Sequence, residues 1–354
     1  MTKNSEDLIR WFEDIGLDDV ASVGGKGGSL GELTRAGIPV PPGFVVTTAA
    51  FETFLDTLDA DGEIRRTIEG LAADDLPGIQ AASAAIRERL HDFDLPAELR
   101  TAIAAAYDEL GAGEKLAPVA VRSSATSEDS LEASFAGLQD TFLWVRGVDD
   151  VMRWLRTCWS SLYSTESIHY RQRLHLPEAH VAMSVVVQRM ADALCSGVMF
   201  TRSPTTGDRS VITIEASWGL GSCIVSGEVT PDKYVVNKVT GEVMKRDVAA
   251  KTVQHVPDTA AGGVREEAVP EDRQSQACLN DTLLTELAAI AKRVEQHYGC
   301  PQDIEWAITG NDEIFLLQSR PETVWAGRDA AQPVAKPAAK PADHVFALLS
   351  GRKR

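Results

Sequence analysis

The sequence predicts an α+β fold in two lobes, and three observations carry that prediction. A length of 354 residues with 44% hydrophobic content suffices for two domains or one large bilobed unit without disulfide staples. Residues 61 to 110 are Ala-rich, acidic and helical in pattern, while β-branched runs such as Val185-Val186-Val187 and Val211-Ile212-Thr213-Ile214 follow residue 180. Near the end, Asp303-Ile304-Glu305-Trp306 and Gln318-Ser319-Arg320-Pro321 flank Gly310-Asn311-Asp312, which reads as two strands joined by a turn.

Residues 8 to 15 read as an opening strand. Val23-Gly24-Gly25-Lys26-Gly27-Gly28-Ser29 reads as a glycine-rich loop running into a short helix that Gly37 ends. Four glycines around one lysine let backbone N–H groups and an ammonium approach an anion. Their order matches neither GxxxxGK[ST] nor GxGxxG, and a ligand-free glycine turn is the competing reading. Pro39 to Gly43 breaks the chain before a strand, Phe44 to Thr47, and a helix from Ala49. The stretch from 61 to 110 reads as a helical insert without chemistry.

An apolar strand then ends in Arg122-Ser123-Ser124. An arginine beside hydroxyls suits phosphate recognition, or else pairs with Glu128 or Asp129. The small-residue loop Ala133 to Gln139 could close over a ligand as a lid before the strand Thr141 to Val145. Helices occupy 149 to 162 and 164 to 174, the first with Val151, Trp154, Leu155, Cys158 and Leu162 on one core-facing stripe. His169, His175 and His180 share no helical face and are set aside as metal ligands.

Strands His180 to Met190, Ser196 to Arg202 and Val211 to Glu215 follow, with Gln188 and Arg189 at the end of the first, and then a hairpin near Asp232 to Met244. The segment 250 to 276 is polar and expected to be irregular. Leu283, Leu284, Leu287, Ile290, Ala291 and Val294 form a helical stripe that Gly299 stops. Beyond Trp325 a Pro/Ala/Lys linker leads to Val345 to Leu349 and Arg352-Lys353-Arg354, either a tethered docking peptide or a frayed tail.

Composition narrows the function classes. A net charge of −17 repels nucleic acid and anionic membranes, so a polyanionic ligand must be drawn by a local basic cluster or a metal. Five scattered cysteines without a CxxC pair indicate neither a disulfide framework nor a zinc site, and suit a reducing cytoplasm. The N-terminus lacks a signal pattern and no apolar run approaches a membrane span, so a soluble cytoplasmic protein is expected.

The hairpin near the end carries the sharpest chemistry. It brings Glu305 and Gln318 near one end of neighbouring strands, and two adjacent oxygen ligands suit Mg2+ that takes its other oxygens from a polyphosphate and water. Arg320, two residues past Gln318, faces the same way and could pair with phosphate. A plain surface hairpin with a stray acid is the alternative.

Four separated features now combine: Gly-Gly-Lys-Gly-Gly-Ser-Leu-Gly-Glu-Leu, Pro-Pro-Gly-Phe, Val-Arg-Ser-Ser-Ala-Thr-Ser-Glu-Asp with Ser-Phe-Ala-Gly, and Asp-Ile-Glu-Trp with Gln-Ser-Arg-Pro-Glu-Thr. Over about residues 8 to 325 they resemble the N-terminal nucleotide-binding domain of the phosphoenolpyruvate synthase and pyruvate phosphate dikinase family, which includes rifampin phosphotransferase and phenylphosphate synthase. The resemblance implies an ATP-grasp fold with ATP between an N-terminal lobe, residues 1–190, and a C-terminal lobe, residues 191–326, followed by a tail over 327–354. It implies that Lys26 and Arg122 hold phosphates, that Gly137 and Thr141 lie in the loop over the nucleotide, and that Gln188 lines its pocket. Glu305 and Gln318 would carry Mg2+ and Arg320 would contact phosphate, so that Lys26, Arg122 and Arg320 form the catalytic set.

Full-length members of that family pass the phosphoryl group through a histidine in a Gly-Gly-x-x-Ser-His context. None of the seven histidines here (His91, His169, His175, His180, His255, His297, His344) lies in such a setting. The resemblance therefore implies an ATP-binding subunit of a split dikinase, which supplies ATP, metal and electrostatic stabilisation but not the nucleophile. It would transfer the β,γ-diphosphate of ATP to a histidine on a partner subunit, releasing AMP and phosphate. Phenol is the first candidate acceptor, from the likeness of layout to phenylphosphate synthase. The alternatives are an ATP-grasp component of a phosphoenolpyruvate synthase or rifampin-type phosphotransferase, and a non-catalytic ATP sensor.

Overall fold

The computed structural model describes residues 8–125, 140–178, 181–323 and 325. The small-residue loop with Gly137, His180 and the linker and tail after residue 325 lie outside the described residues.

The opening strand β1 (Ile9–Trp11) is shorter than the sequence suggested, because Phe12–Asp14 tightens into a 3-10 turn that buries Phe12. The glycine-rich stretch is not a loop ahead of a helix. It lies inside α1 (Val20–Arg35), which breaks direction at Gly24, φ 68° and ψ 173°. A Cβ at Gly24 would sit 2.3 Å from the Ser124 backbone oxygen, so close docking on a strand requires glycine there. Then come β2 (Gly43–Val46) and α2 (Thr48–Leu58), whose first turn is capped by the Thr47 hydroxyl. The helical region resolves into α3 (Glu63–Glu69), α4 (Leu76–Asp92) and α5 (Ala97–Gly111).

After it run β3 (Val119–Ala125), β4 (Thr141–Val145), α6 (Val148–Ser161), α7 (Thr165–Leu174) and β5 (Met183–Arg189). The second half holds β6 (Ala193–Phe200), β7 (Val211–Trp218), the short α8 (Ser222–Val225), β8 (Asp232–Asn237) and β9 (Val243–Asp247). The segment expected to be irregular instead contains the hairpin of β10 (Val253–Pro257) and β11 (Val264–Ala268), then the single turn α9 (Glu271–Gln274). Its Arg265-Glu266-Glu267 run gives no apolar alternation to read. Helix α10 (Asp281–Tyr298) starts at the Asn280 cap and stops at Gly299, φ 69°. The chain closes with β12 (Gln302–Thr309) and β13 (Ile314–Pro321).

Among the described residues the strands form an α+β architecture of antiparallel sheets: five strands in the order β1-β2-β5-β3-β4, six in the order β13-β12-β6-β7-β8-β9, and the pair β10-β11. Phe44, Phe51, Phe54 and Trp159 fill the core between the first sheet and its helices. Trp306, Tyr234, Leu284 and Leu287 fill a second core between the six-stranded sheet and α10. Helix α1 touches both sheets: Leu30 packs with Val45 and Val186, Leu33 joins the second core, and Ser29 Oγ donates to Ser319 O at 2.6 Å. Among the described residues no helix is long and apolar enough to cross a membrane.

Candidate functional site

Strand β3 changes character halfway along, from Val119, Ala120 and Val121 to Arg122, Ser123 and Ser124, yet all of it is buried. A buried guanidinium must be matched by acceptors. Arg122 finds them on the other sheet. Its Nη1 donates to Leu317 O at 2.8 Å, and its Nη2 to Gln318 Oε1 at 2.5 Å and to Glu305 Oε2 at 3.3 Å. The register of β12 and β13 sets Glu305 directly opposite Gln318, the pairing expected from the sequence, and a bulge follows between Glu305 and Trp306. The Nε of Arg122 is buried with no hydrogen-bond partner among the described residues.

Lys26 is buried and its Nζ donates to Ser123 O at 2.9 Å. Beside it the Gly27 N–H donates to Ser124 Oγ at 3.2 Å, and that hydroxyl donates to Val23 O at 3.0 Å. The glycine-rich turns of α1 are thus locked onto the polar end of β3. Thr141 pairs with Arg122 across β3 and β4. Gln188 on β5 lies opposite Ala120, and its Nε2 donates to Pro41 O at 3.3 Å. Arg320 pairs with Asp303 two rungs beyond Glu305 and Gln318, and its Nε donates to Asp303 Oδ2 at 2.9 Å. Burial lifts the Asp303 carboxyl above the usual range, opposed by the Arg320 guanidinium.

These elements enclose a cleft of about 530 Å3 between the two large sheets. Arg122, Thr141 and Gln188 line it from the first sheet, and Glu305, Trp306 and Leu317 from the second. Among the described residues Lys26, Gln318 and Arg320 are not part of that lining, although Gln318 is tied to it through Arg122. The cleft thus gathers Arg122, Thr141, Gln188 and Glu305 of the residues singled out from the sequence. Gly137 lies outside the described residues.

Sequence reasoning gave no role to Asp140, which lines the cleft and whose backbone oxygen accepts from Ser123 N–H at 3.0 Å. Burial raises its carboxyl above the usual range, against the pull of Arg87. A lone Asp before a strand carries no signal that could have found it. Trp306 was noted only as part of a motif. Its indole shapes the wall beside Gly197, where a Cβ would lie 2.6 Å from the ring and 1.9 Å from Glu215 O. Chemically, Glu305 and Gln318 are the adjacent oxygen donors that could hold a hard divalent cation, and Arg122 is the cation already bonded to both.

The family described as pyruvate phosphate dikinase, AMP/ATP-binding domain, matches residues 20–340. A probable phosphoenolpyruvate synthase of Methanothermobacter thermautotrophicus is 43% identical over 317 residues, covering 89% of this chain and 46% of that protein. The phosphoenolpyruvate synthase of Pyrococcus furiosus is 40% identical over 357 residues, covering 89% of this chain and 44% of that protein. A rifampicin phosphotransferase of Streptomyces sp is 41% identical over 317 residues, covering 89% and 36%. The chain therefore spans about half the length, or less, of these curated relatives. The crystal structure of PH1788 from Pyrococcus horikoshii has a TM-score of 0.33 at 11% identity, covering 91% of this chain and 100% of that one, a likeness too distant to support any argument.

Proposed function

Because the chain belongs to the pyruvate phosphate dikinase AMP/ATP-binding domain family, a family of catalytic phosphotransferases, we propose that it is the ATP-binding component of a phosphoenolpyruvate synthase or rifampicin-type phosphotransferase. The names and identities of the curated relatives favour this reading over the phenol-phosphorylating layout. Mg·ATP enters the cleft between the sheets, in an ATP-grasp arrangement of an N-terminal lobe up to residue 190 and a C-terminal lobe from 191. One observation carries this reading: Arg122 reaches from one sheet to Glu305 and Gln318 of the other. A cation bonded to two oxygen donors is the pattern expected where a metal and a polyphosphate later share those partners.

In that reading Glu305 and Gln318 would hold Mg2+ in place of the guanidinium, and Arg122 would be free to contact phosphate oxygens. Its buried Nε, unpartnered among the described residues, supports this, since a phosphate would supply an acceptor. Lys26 and Arg320 add positive charge, Thr141 and Gln188 border the nucleotide, and Gly137 belongs to the covering loop. The bound cation neutralises charge on the phosphates, while the chain's own groups orient them and exclude water. None of the seven histidines lies in a Gly-Gly-x-x-Ser-His setting, so the accepting histidine comes from polypeptide outside this sequence. The β,γ-diphosphate passes to it and AMP leaves, the displaced oxygen being that of the α-phosphate.

The test is AMP formation from ATP with a histidine-bearing polypeptide of this family, and pyruvate, rifampicin or phenol as acceptor. AMP appears only when that polypeptide is present, and Glu305→Ala lowers its rate at least a hundredfold. An unchanged rate removes Glu305 from the site. ATP binding without AMP under every condition identifies a sensor instead.

A further inference from the structure

A sulfur-containing cluster of metal-ligating groups is assembled from separate segments of the chain, with no motif spacing to mark it. Cys223 lies in α8, Glu228 in the turn after it, and His255 in β10. Folding brings one sulfur, one carboxylate oxygen and one ring nitrogen within 4.8 Å of one another. Backbone contacts fix that geometry. The Leu220 N–H donates to His255 O at 2.9 Å, and the Glu228 N–H donates to Cys223 O at 3.1 Å. Cys223 is fully buried and His255 mostly so.

Both ring nitrogens of His255 are engaged. Nδ1 lies 2.7 Å from Ser222 Oγ, and Nε2 lies 2.9 Å from Glu228 Oε2. An ion seated on Nε2 would take the facing Glu228 carboxylate as its next ligand and leave Nδ1 to the Ser222 hydroxyl.

We infer that Cys223, Glu228 and His255 bind a borderline-soft divalent cation, Zn2+ being the ion whose preferences fit. Thiolate, imidazole and carboxylate are its three common protein ligands, and three of them leave a fourth tetrahedral position for water. Ser222 is the outer partner that orients the imidazole, as ligating histidines usually require. Mg2+ prefers an all-oxygen octahedral shell, so this site and the Glu305 and Gln318 pair select different ions. The ion would clamp β10 to the turn whose Leu220, Gly221 and Ser222 also line the cleft. The inference does not depend on the reaction proposed above.

The test uses tag-free full chain, stripped with chelator and titrated with Co2+ and then Zn2+ in the presence of excess Mg2+. One equivalent of Co2+ gives tetrahedral visible bands and a thiolate-to-cobalt charge-transfer band, and Zn2+ displaces it. Cys223→Ser abolishes the charge-transfer band, and His255→Ala weakens Zn2+ binding at least tenfold. Ser222→Ala, which keeps all three ligands, weakens it by about 10-fold. Glu305→Ala and Cys300→Ser leave it unchanged. The absence of the band in the unmodified chain, or its survival in Cys223→Ser, overturns the assignment.

Discussion

Arg122 ties the two large sheets together, and in the proposed reading it is also the group that meets the phosphates. Removing it leaves Glu305 and Gln318 without their cationic partner, so Arg122→Ala is expected to cost about 2–3 kcal/mol, less than a fully buried pair because Glu305 is nearly a third exposed. Urea unfolding checks this. Arg122→Lys keeps the charge but not the fork that reaches Leu317 O and Gln318 Oε1 together, and should recover only part of the loss. The pairing of Glu305 with Gln318 was legible in the sequence because a short turn fixes the register of a hairpin. The partners of Arg122 were not, since they lie nearly two hundred residues away and the local acids Glu128 and Asp129 offered themselves first.

At the scale of elements, legibility followed burial pattern. The first half of β3 and the centre of β5 are apolar runs, the first half of β7 is β-branched, and α10 carries an uninterrupted stripe, so each could be read directly. The glycines of α1 misled because glycine permits loops as well as close packing; contact with Ser124, not local propensity, places them in a helix. The β10–β11 hairpin was missed because β11 sets Arg265, Glu266 and Glu267 in a row and leaves no apolar alternation to read.

Two further outcomes belong to this scale. Gly197→Ala would set a Cβ against Glu215 O and the Trp306 ring, and is expected to cost about 1–3 kcal/mol, read as a lowered melting temperature. In the same half of the molecule, fully buried Asp232 accepts from Lys251 Nζ at 2.6 Å, Cys278 N–H at 2.9 Å and Tyr234 OH at 3.0 Å. Lys251→Met strands that carboxylate and should cost about 3–5 kcal/mol, while pairing it with Asp232→Asn restores part of the loss. Equal destabilisation by the single and double variants would show that the charge pair is not what β8 depends on.

For the whole molecule, the two sheets meet through α1 and Arg122 around one cleft, and the average charge of −17 makes local cations the only attraction for a polyphosphate. The α+β class and the family were legible from scattered short motifs, each weak alone and specific together. The acceptor was not, because no residue of the cleft records it. The most direct measurement is a crystal structure of the chain with Mg2+ and a non-hydrolysable ATP analogue. The expected result is nucleotide between the sheets, metal on Glu305 and Gln318, and Arg122 turned from them to phosphate. Nucleotide bound elsewhere, or metal bound in the cleft with Arg122 still holding both side chains, would contradict it.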